Sequence, residues 1–179
     1  MNRIRRIRTI TDSDVQGGPA TLLEAVSRYG ARGVLVDRSF RVAMMYLSKL
    51  DLYKLPGGGI EEGEEQGAAF VREIREETGY EAEIVHELGY IEEHKGRNDF
   101  LHYSYCFVAK SHEGREQVQL SDNEIKLGMT PVWMPLEEAL ALMNEALRSC
   151  DDYSLKFMLL RDLTILQVYN EWKSKEAIV

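Results

Sequence analysis

The sequence predicts an α/β sandwich in which helices cover a mixed β-sheet, and three observations carry that expectation. Strand-like and helix-like segments are interleaved along the chain rather than grouped by type. Residues 99–110 alternate with the period of a strand, whereas residues 65–78 repeat apolar positions at the three- and four-residue spacing of a helix. The third observation is size: 179 residues, 44% apolar and 29% charged, suit one globular domain able to bury a core.

Taken in order, the turn signal Gln16-Gly17-Gly18-Pro19 sets off residues 1–28 as an amino-terminal arm, within which residues 20–29 read as a short helix. Gly33-Val34-Leu35-Val36 and the run from Val42 to Leu47 read as two strands around a turn at Asp37–Phe40. A glycine-rich loop, Pro56–Gly59, follows. The helix over 65–78 places Ala68, Val71, Ile74 and Thr78 on one face, and Gly79 stands where a left-handed cap residue is favoured. Residues 84–91 read as a strand. Residues 99–110 are a stronger one, with Leu101, Tyr103, Tyr105, Phe107 and Ala109 on one apolar face. A charged loop over 111–126 leads to a short strand at Val132-Trp133-Met134. Two helices close the chain: one over 135–148 with Pro135 in its first turn, and one over 152–172 with Leu155, Leu159, Leu163 and Leu166 along a stripe. That stripe suits either the core or a homodimer interface. The expected organisation is therefore an arm (1–28), a main domain (29–148) and a carboxy-terminal helix packed on the same domain (149–179).

Composition excludes several functions. The apolar runs are too short to span a bilayer, and no apolar stretch follows Met1-Asn2-Arg3-Ile4-Arg5-Arg6, so neither membrane insertion nor a secretory signal is expected. Cys106 and Cys150 form no disulfide framework and no zinc spacing; they read as reduced structural thiols of a cytoplasmic protein. A net charge of −8 argues against nucleic-acid binding, and the four arginines within residues 3–8 read as a solvated edge segment. The acidity is concentrated. Residues 61–77 hold seven Glu against two Arg, which either solvates a helix face or awaits a cation.

The second choice has a physical argument. Glu73, Glu76 and Glu77 stand at i, i+3 and i+4 of the helix, so like charges share one face and repel. A divalent cation neutralises them, and carboxylates are the hard ligands Mg²⁺ takes alongside waters and substrate phosphates. The apolar residues lie on a different face, free to pack on the sheet. Upstream, Pro56-Gly57-Gly58-Gly59 lets backbone approach a ligand closely, so a carbonyl there is a further metal ligand and its N–H groups meet phosphate oxygens.

Gly58, five residues, Glu64, seven residues and then Arg72-Glu73-Ile74-Arg75-Glu76-Glu77-Thr78-Gly79-Tyr80 resembles the Nudix box of the MutT-like Nudix hydrolases. Seven fixed residues at ~7% usage each coincide in on the order of 10⁻⁸ of windows, which removes chance as an explanation. The one departure is Tyr80, where the family has an aliphatic residue. The resemblance implies the Nudix-type α/β/α sandwich with a mixed β-sheet. It also implies hydrolysis of a diphosphate bond in a nucleoside diphosphate derivative, dependent on Mg²⁺ with Mn²⁺ as a substitute. By the same resemblance Glu73, Glu76, Glu77 and the Gly57 carbonyl hold metal, and Glu73 orients or deprotonates the attacking water. Arg72 pairs with box glutamates, and Glu64 supports the metal shell.

The family often adds an acidic residue from a later loop. Glu124 is the candidate, with Glu92, Glu93, Glu113 and Glu116 as rivals. Among other side chains, His102 is a candidate to line the cleft, and Tyr46, Tyr53 and Tyr103 offer rings on which a base would stack, although sheet packing is their ordinary role. Markers of the ADP-ribose and dinucleoside polyphosphate groups are absent: Lys95 stands where the first has proline, and Tyr90 is too early for the second. The preferred substrate is a nucleoside triphosphate or damaged nucleotide. ADP-ribose or a sugar-nucleotide is the alternative, as is a non-catalytic nucleotide-sensing module, although such modules lose box carboxylates and this chain has lost none.

Overall fold

A computed structural model describes residues 3–177; Met1, Asn2, Ile178 and Val179, the tips of the expected arm and carboxy-terminal segment, lie outside the described residues. Eight strands form one sheet: β1 (Arg6–Thr11), β2 (Arg28–Val36), β3 (Val42–Leu47), β4 (Leu52–Lys54), β5 (Gly57–Gly59), β6 (Ala82–Lys95), β7 (Phe100–Ser111) and β8 (Met129–Met134). Five helices accompany them: α1 (Asp12–Gln16), α2 (Gln66–Thr78), α3 (Asp122–Leu127), α4 (Leu136–Ser149) and α5 (Tyr153–Glu176). The strand order is β1-β6-β7-β2-β3-β4, with β5 also on β2 and β8 on β3. The sheet is mixed as expected: β1 runs parallel to β6 and β2 parallel to β7, while the other pairs are antiparallel.

β2 is the axis of the fold. It pairs β7 along its whole length, from Arg28 opposite His102 to Val36 opposite Lys110. Its other edge is shared between β5 at the start and β3 at the end. Both faces are covered. Ala31, Leu35, Ala43, Phe107 and Ala109 pack under Ala69, Phe70 and Ile74 of α2. Val34, Val36, Met44, Cys106 and Val108 pack against Met143 of α4 and Phe157, Leu159, Leu163 and Leu166 of α5. The predicted alternation of β7 therefore separates two cores rather than core from solvent: His102, Ser104, Cys106 and Val108 are buried as well. β2 and β7 approach so closely that a Cβ on Gly33 would fall 1.9 Å from the Phe107 carbonyl oxygen. Backbone cannot yield there, so Gly33→Ala is expected to cost about 2 kcal/mol or more, read as a lower urea midpoint.

Several expectations are corrected. Residues 20–29 are not a helix. Ser27 and Leu101 exchange hydrogen bonds (Ser27 N–H to the Leu101 carbonyl, 2.8 Å; Leu101 N–H to Ser27 Oγ, 3.0 Å), and pairing with β7 begins at Arg28. Tertiary pairing overrides a weak local preference. The helix near the amino terminus is α1, ahead of Gly17-Gly18, where Asp14 Oδ2 accepts the Thr11 N–H at 2.8 Å. Within the arm, β1 is an edge strand with Ile10 fully buried, and Arg3, Arg5 and Arg6 are exposed. Gly57–Gly59 of the glycine-rich loop form strand β5, and the end of the 111–126 loop, from Asp122, is α3. On α2 the packed stripe is Ala69, Phe70 and Ile74, with Phe70 stacked on Phe107 at 5.9 Å, while the predicted Ala68 is exposed.

α5 is a core helix: Arg161 through Leu166 are buried in succession, and Phe157 and Leu159 lie deeper than the predicted Leu155. Among the described residues no helix is long and apolar enough to cross a membrane.

Candidate active site

The site is built where β5 lies between β2 and the buried edge of α2. Gly57, Gly58 and Gly59 pair with Arg32, Ala31 and Gly30, and each of the first two is glycine for a spatial reason. Gly57 has φ 143°, and a Cβ there would meet the Arg32 Cβ at 2.3 Å. A Cβ on Gly58 would fall 2.4 Å from Glu73 Oε1, so the missing side chain is the space the carboxylate occupies. α2 itself is fixed at both ends: Glu65 accepts the Ala68 N–H at 2.9 Å, and Gly79 takes the left-handed conformation and donates to the Arg75 carbonyl at 2.9 Å. Tyr80, the box departure, packs its ring edge-on against Trp133 at 5.6 Å and so fills an apolar slot.

The acidic face of α2 does not point to open solvent. The side chains of Glu73 and Glu77 are 11% and 0% exposed. Carboxylate oxygens of Glu73, Glu77 and Glu124 all lie within 4.8 Å of one another. Glu77 Oε2 accepts the Gly57 N–H at 2.9 Å, and Oε1 accepts from Lys54 Nζ at 2.9 Å. The same ammonium donates to the Gly57 carbonyl at 3.3 Å. Burial pushes the Glu77 carboxyl up to about 7, against the pull of Lys54 and the Gly57 N–H. Burial likewise raises Glu73, opposed by Arg72.

Arg72 organises the remainder. Its guanidinium clasps Glu64 through Nε (2.7 Å) and Nη2 (3.0 Å) and gives Nη2 to the Gly59 carbonyl (2.9 Å). Nη1 reaches Glu73 Oε1 at 3.0 Å and Glu76 Oε2 at 3.2 Å. This fork–fork geometry sets the carboxylate rotamers, and the hydrogen bond from Arg72 lowers the Glu64 carboxyl below its usual range.

Of the predicted residues, then, Gly57, Glu73, Glu77 and Glu124 are brought together. Glu64 faces Arg72 rather than that group. Glu76, with its side chain 32% exposed, sits on the rim with Arg72 and is outside the three-carboxylate group. The rivals to Glu124 go elsewhere: Glu92 binds His94 and Arg6, Glu93 is buried against Arg161, Glu113 pairs with Arg38 and Glu116 is exposed. Glu124 is presented by α3, whose N-terminus it also closes by accepting the Ser121 N–H at 2.8 Å. His102 does not line a cleft; it is buried with Nδ1 3.3 Å from Glu93 Oε2. Tyr46 and Tyr53 lie tilted against each other at 4.9 Å, and Tyr103 stacks on Tyr90 at 5.4 Å. An open cleft of about 610 Å³ flanks the box, lined by Arg28, Tyr29, Ile60, Glu64 and Tyr105 among others.

Sequence reasoning missed two contributors. Lys54 stands three residues before Gly57, and that proximity was its one local signal. Asp162 had none: it lies on α5, and its Oδ2 accepts the Leu55 N–H at 2.9 Å, anchoring the chain just ahead of the glycines.

Residues 26–153 match the family model described as a NUDIX domain, which leaves β1 and nearly all of α5 outside the match. Nudix hydrolase 5 of Arabidopsis thaliana is 34% identical over 130 residues, 67% of this chain and 40% of that protein. The CMP-5'-(N-acetyl-N-hydroxy-3-aminopropyl)phosphonate hydrolase of Streptomyces rubellomurinus is 30% identical over 141 residues, 76% of this chain and 66% of the relative. The chain thus spans less than two thirds of the length of either relative. A solved NUDIX hydrolase from Nitrosomonas europaea superposes with a TM-score of 0.57, over 83% of this chain and 89% of its own; at 16% identity this is a likeness of fold alone.

Proposed function

Because the chain belongs to the Nudix hydrolase family, we propose that it hydrolyses a diphosphate bond in a nucleotide derivative, with Mg²⁺ as cofactor and Mn²⁺ as a substitute. The observation that carries this reading is the convergence of Glu73, Glu77 and Glu124 beside the Gly57 carbonyl. The donor set fits a hard divalent cation: all of it is oxygen, three of the donors are carboxylates, and Gly58 admits the Glu73 carboxylate where a side chain would exclude it. Glu73, Glu77, Glu124 and the Gly57 carbonyl would hold the ion, with Glu76 joining from the rim. Once bound, the ion supplies charge neutralisation and a lowered pKa for water.

The chain's own residues supply the rest. Glu73, its carboxyl raised by burial, orients the attacking water and takes its proton. Arg72 keeps Glu73 in the rotamer that task needs, and Glu64 keeps Arg72 in place. The open cleft past Arg28 and Tyr29 is where the remainder of the substrate lies, with a ring to stack on and a guanidinium for phosphate. A nucleoside triphosphate or damaged nucleotide is the preferred substrate. The net charge of −8 favours such a small ligand over nucleic acid.

Release of phosphate or pyrophosphate from a nucleotide panel, with and without Mg²⁺, tests the proposal. The panel holds nucleoside triphosphates, ADP-ribose, sugar-nucleotides and a CMP-phosphonate, the last because of the name of the Streptomyces relative. Metal-dependent turnover of at least one is expected. None across the panel would favour the nucleotide-sensing module.

A further inference from the structure

Lys54 places a cation where the proposed metal ligands converge. It ends β4, whose backbone is pinned by pairing with β3 (Lys54 opposite Met45) and by the hold of Asp162 on the next residue, Leu55. The backbone is fixed and the four-carbon stem is the movable part. Its ammonium contacts Glu77 Oε1 at 2.9 Å, the Gly57 carbonyl at 3.3 Å and the Leu55 carbonyl at 3.5 Å. Two of these three acceptors belong to the metal set. An ammonium competes with a divalent ion for them, because like charges in a poorly solvated site repel strongly. Without a cation Glu77 would be a fully buried carboxylate with only the Gly57 N–H for compensation.

We propose that Lys54 is a displaceable internal cation. In the metal-free protein it keeps Glu77 and the Gly57 carbonyl in their ligand arrangement, and it leaves them when a divalent ion binds. The site is thereby preformed, and metal affinity is lower than the carboxylates alone would give. This rests on the metal reading above, but it concerns binding rather than turnover, so the two fail separately.

The test is Mn²⁺ binding to the whole chain without nucleotide, followed by the paramagnetic resonance of free Mn²⁺. Lys54→Met and Lys54→Gln are expected to bind Mn²⁺ at least about tenfold tighter than wild type, because one positive charge leaves direct contact with a ligand carboxylate. Lys54→Arg keeps the charge and is expected to stay within about threefold. Thermal unfolding supplies a second readout. Lys54→Met should melt below wild type without metal and gain more from saturating Mn²⁺. Unchanged or weaker Mn²⁺ binding in both neutral variants would overturn the assignment of Lys54 alone. A wild-type chain that binds no Mn²⁺ would overturn the metal reading as well.

Discussion

Glu73→Gln and Glu77→Gln are each expected to lower turnover by roughly 10²–10⁴-fold while the chain stays folded. Glutamine is nearly isosteric with glutamate, so it removes charge and basicity without opening a cavity. At position 73 the loss falls on the proton acceptor. At position 77 it falls on the most buried carboxylate of the group, and an amide replaces a full charge opposite Lys54. Folding survives because neither residue packs the apolar core on its own: Ala69, Phe70 and Ile74 hold α2 to the sheet. Steady-state rates on the substrate found by the panel, paired with thermal unfolding, measure both parts. Near-wild-type rates in both variants would remove these residues from the chemistry.

Arg161→Met is expected to destabilise the protein by about 3–5 kcal/mol, the usual result of removing one partner from a buried ion pair. Arg161 sits between two fully buried carboxylates, with Nε 2.7 Å from Asp162 Oδ1 and Nη1 3.4 Å from Glu93 Oε2. Arg32 lies behind them, its own pKa lowered to about 10 by burial and by Arg161. Burial alone would raise Glu93, but Arg161, with His102 and Lys95, holds it well below the usual carboxylate range. Burial also pushes His102 down to about 4, so near neutral pH it meets Glu93 as a neutral imidazole and adds little compensating charge.

The pH dependence follows in sign. A carboxyl whose folded pKa is depressed contributes stability that is present above its unfolded pKa and lost as pH falls through the folded value. The deficit of Arg161→Met should therefore be largest near neutrality and should narrow as falling pH protonates the buried Glu93 that has lost its partner. Urea unfolding across that range reads it, and a deficit that does not change with pH would show that Glu93 is not the group left uncompensated. Because Asp162 also anchors Leu55, the variant is expected to lose activity before it unfolds.

The sequence by itself determined what depends on neighbouring residues. A helix over 65–78 needs only its own periodicity and caps, and once it forms, Glu73 and Glu77 share a side and Arg72 can reach Glu73 and Glu76. The box and the left-handed turn at Gly79 were legible for that reason, as was the mixed sheet with helices on it. Tertiary structure decided what depends on convergence. The helical periodicity of the box says nothing about how deeply Glu73 and Glu77 are buried. That was set by β5 lying along β2, with glycines thin enough to admit the carboxylates. Ser121 three residues ahead of Glu124 marks a helix start in the sequence, but only the packing of α3 shows that this helix carries Glu124 to the box.

Lys54, Asp162 and Arg161 carry side chains whose charge by itself predicts solvent, although apolar residues flank them. Arg161 and Asp162 became part of the interior because α5 closes over β2 and β6, whereas Lys54 is half-buried against Glu77 of α2. Charges enclosed there must find partners from distant strands and helices.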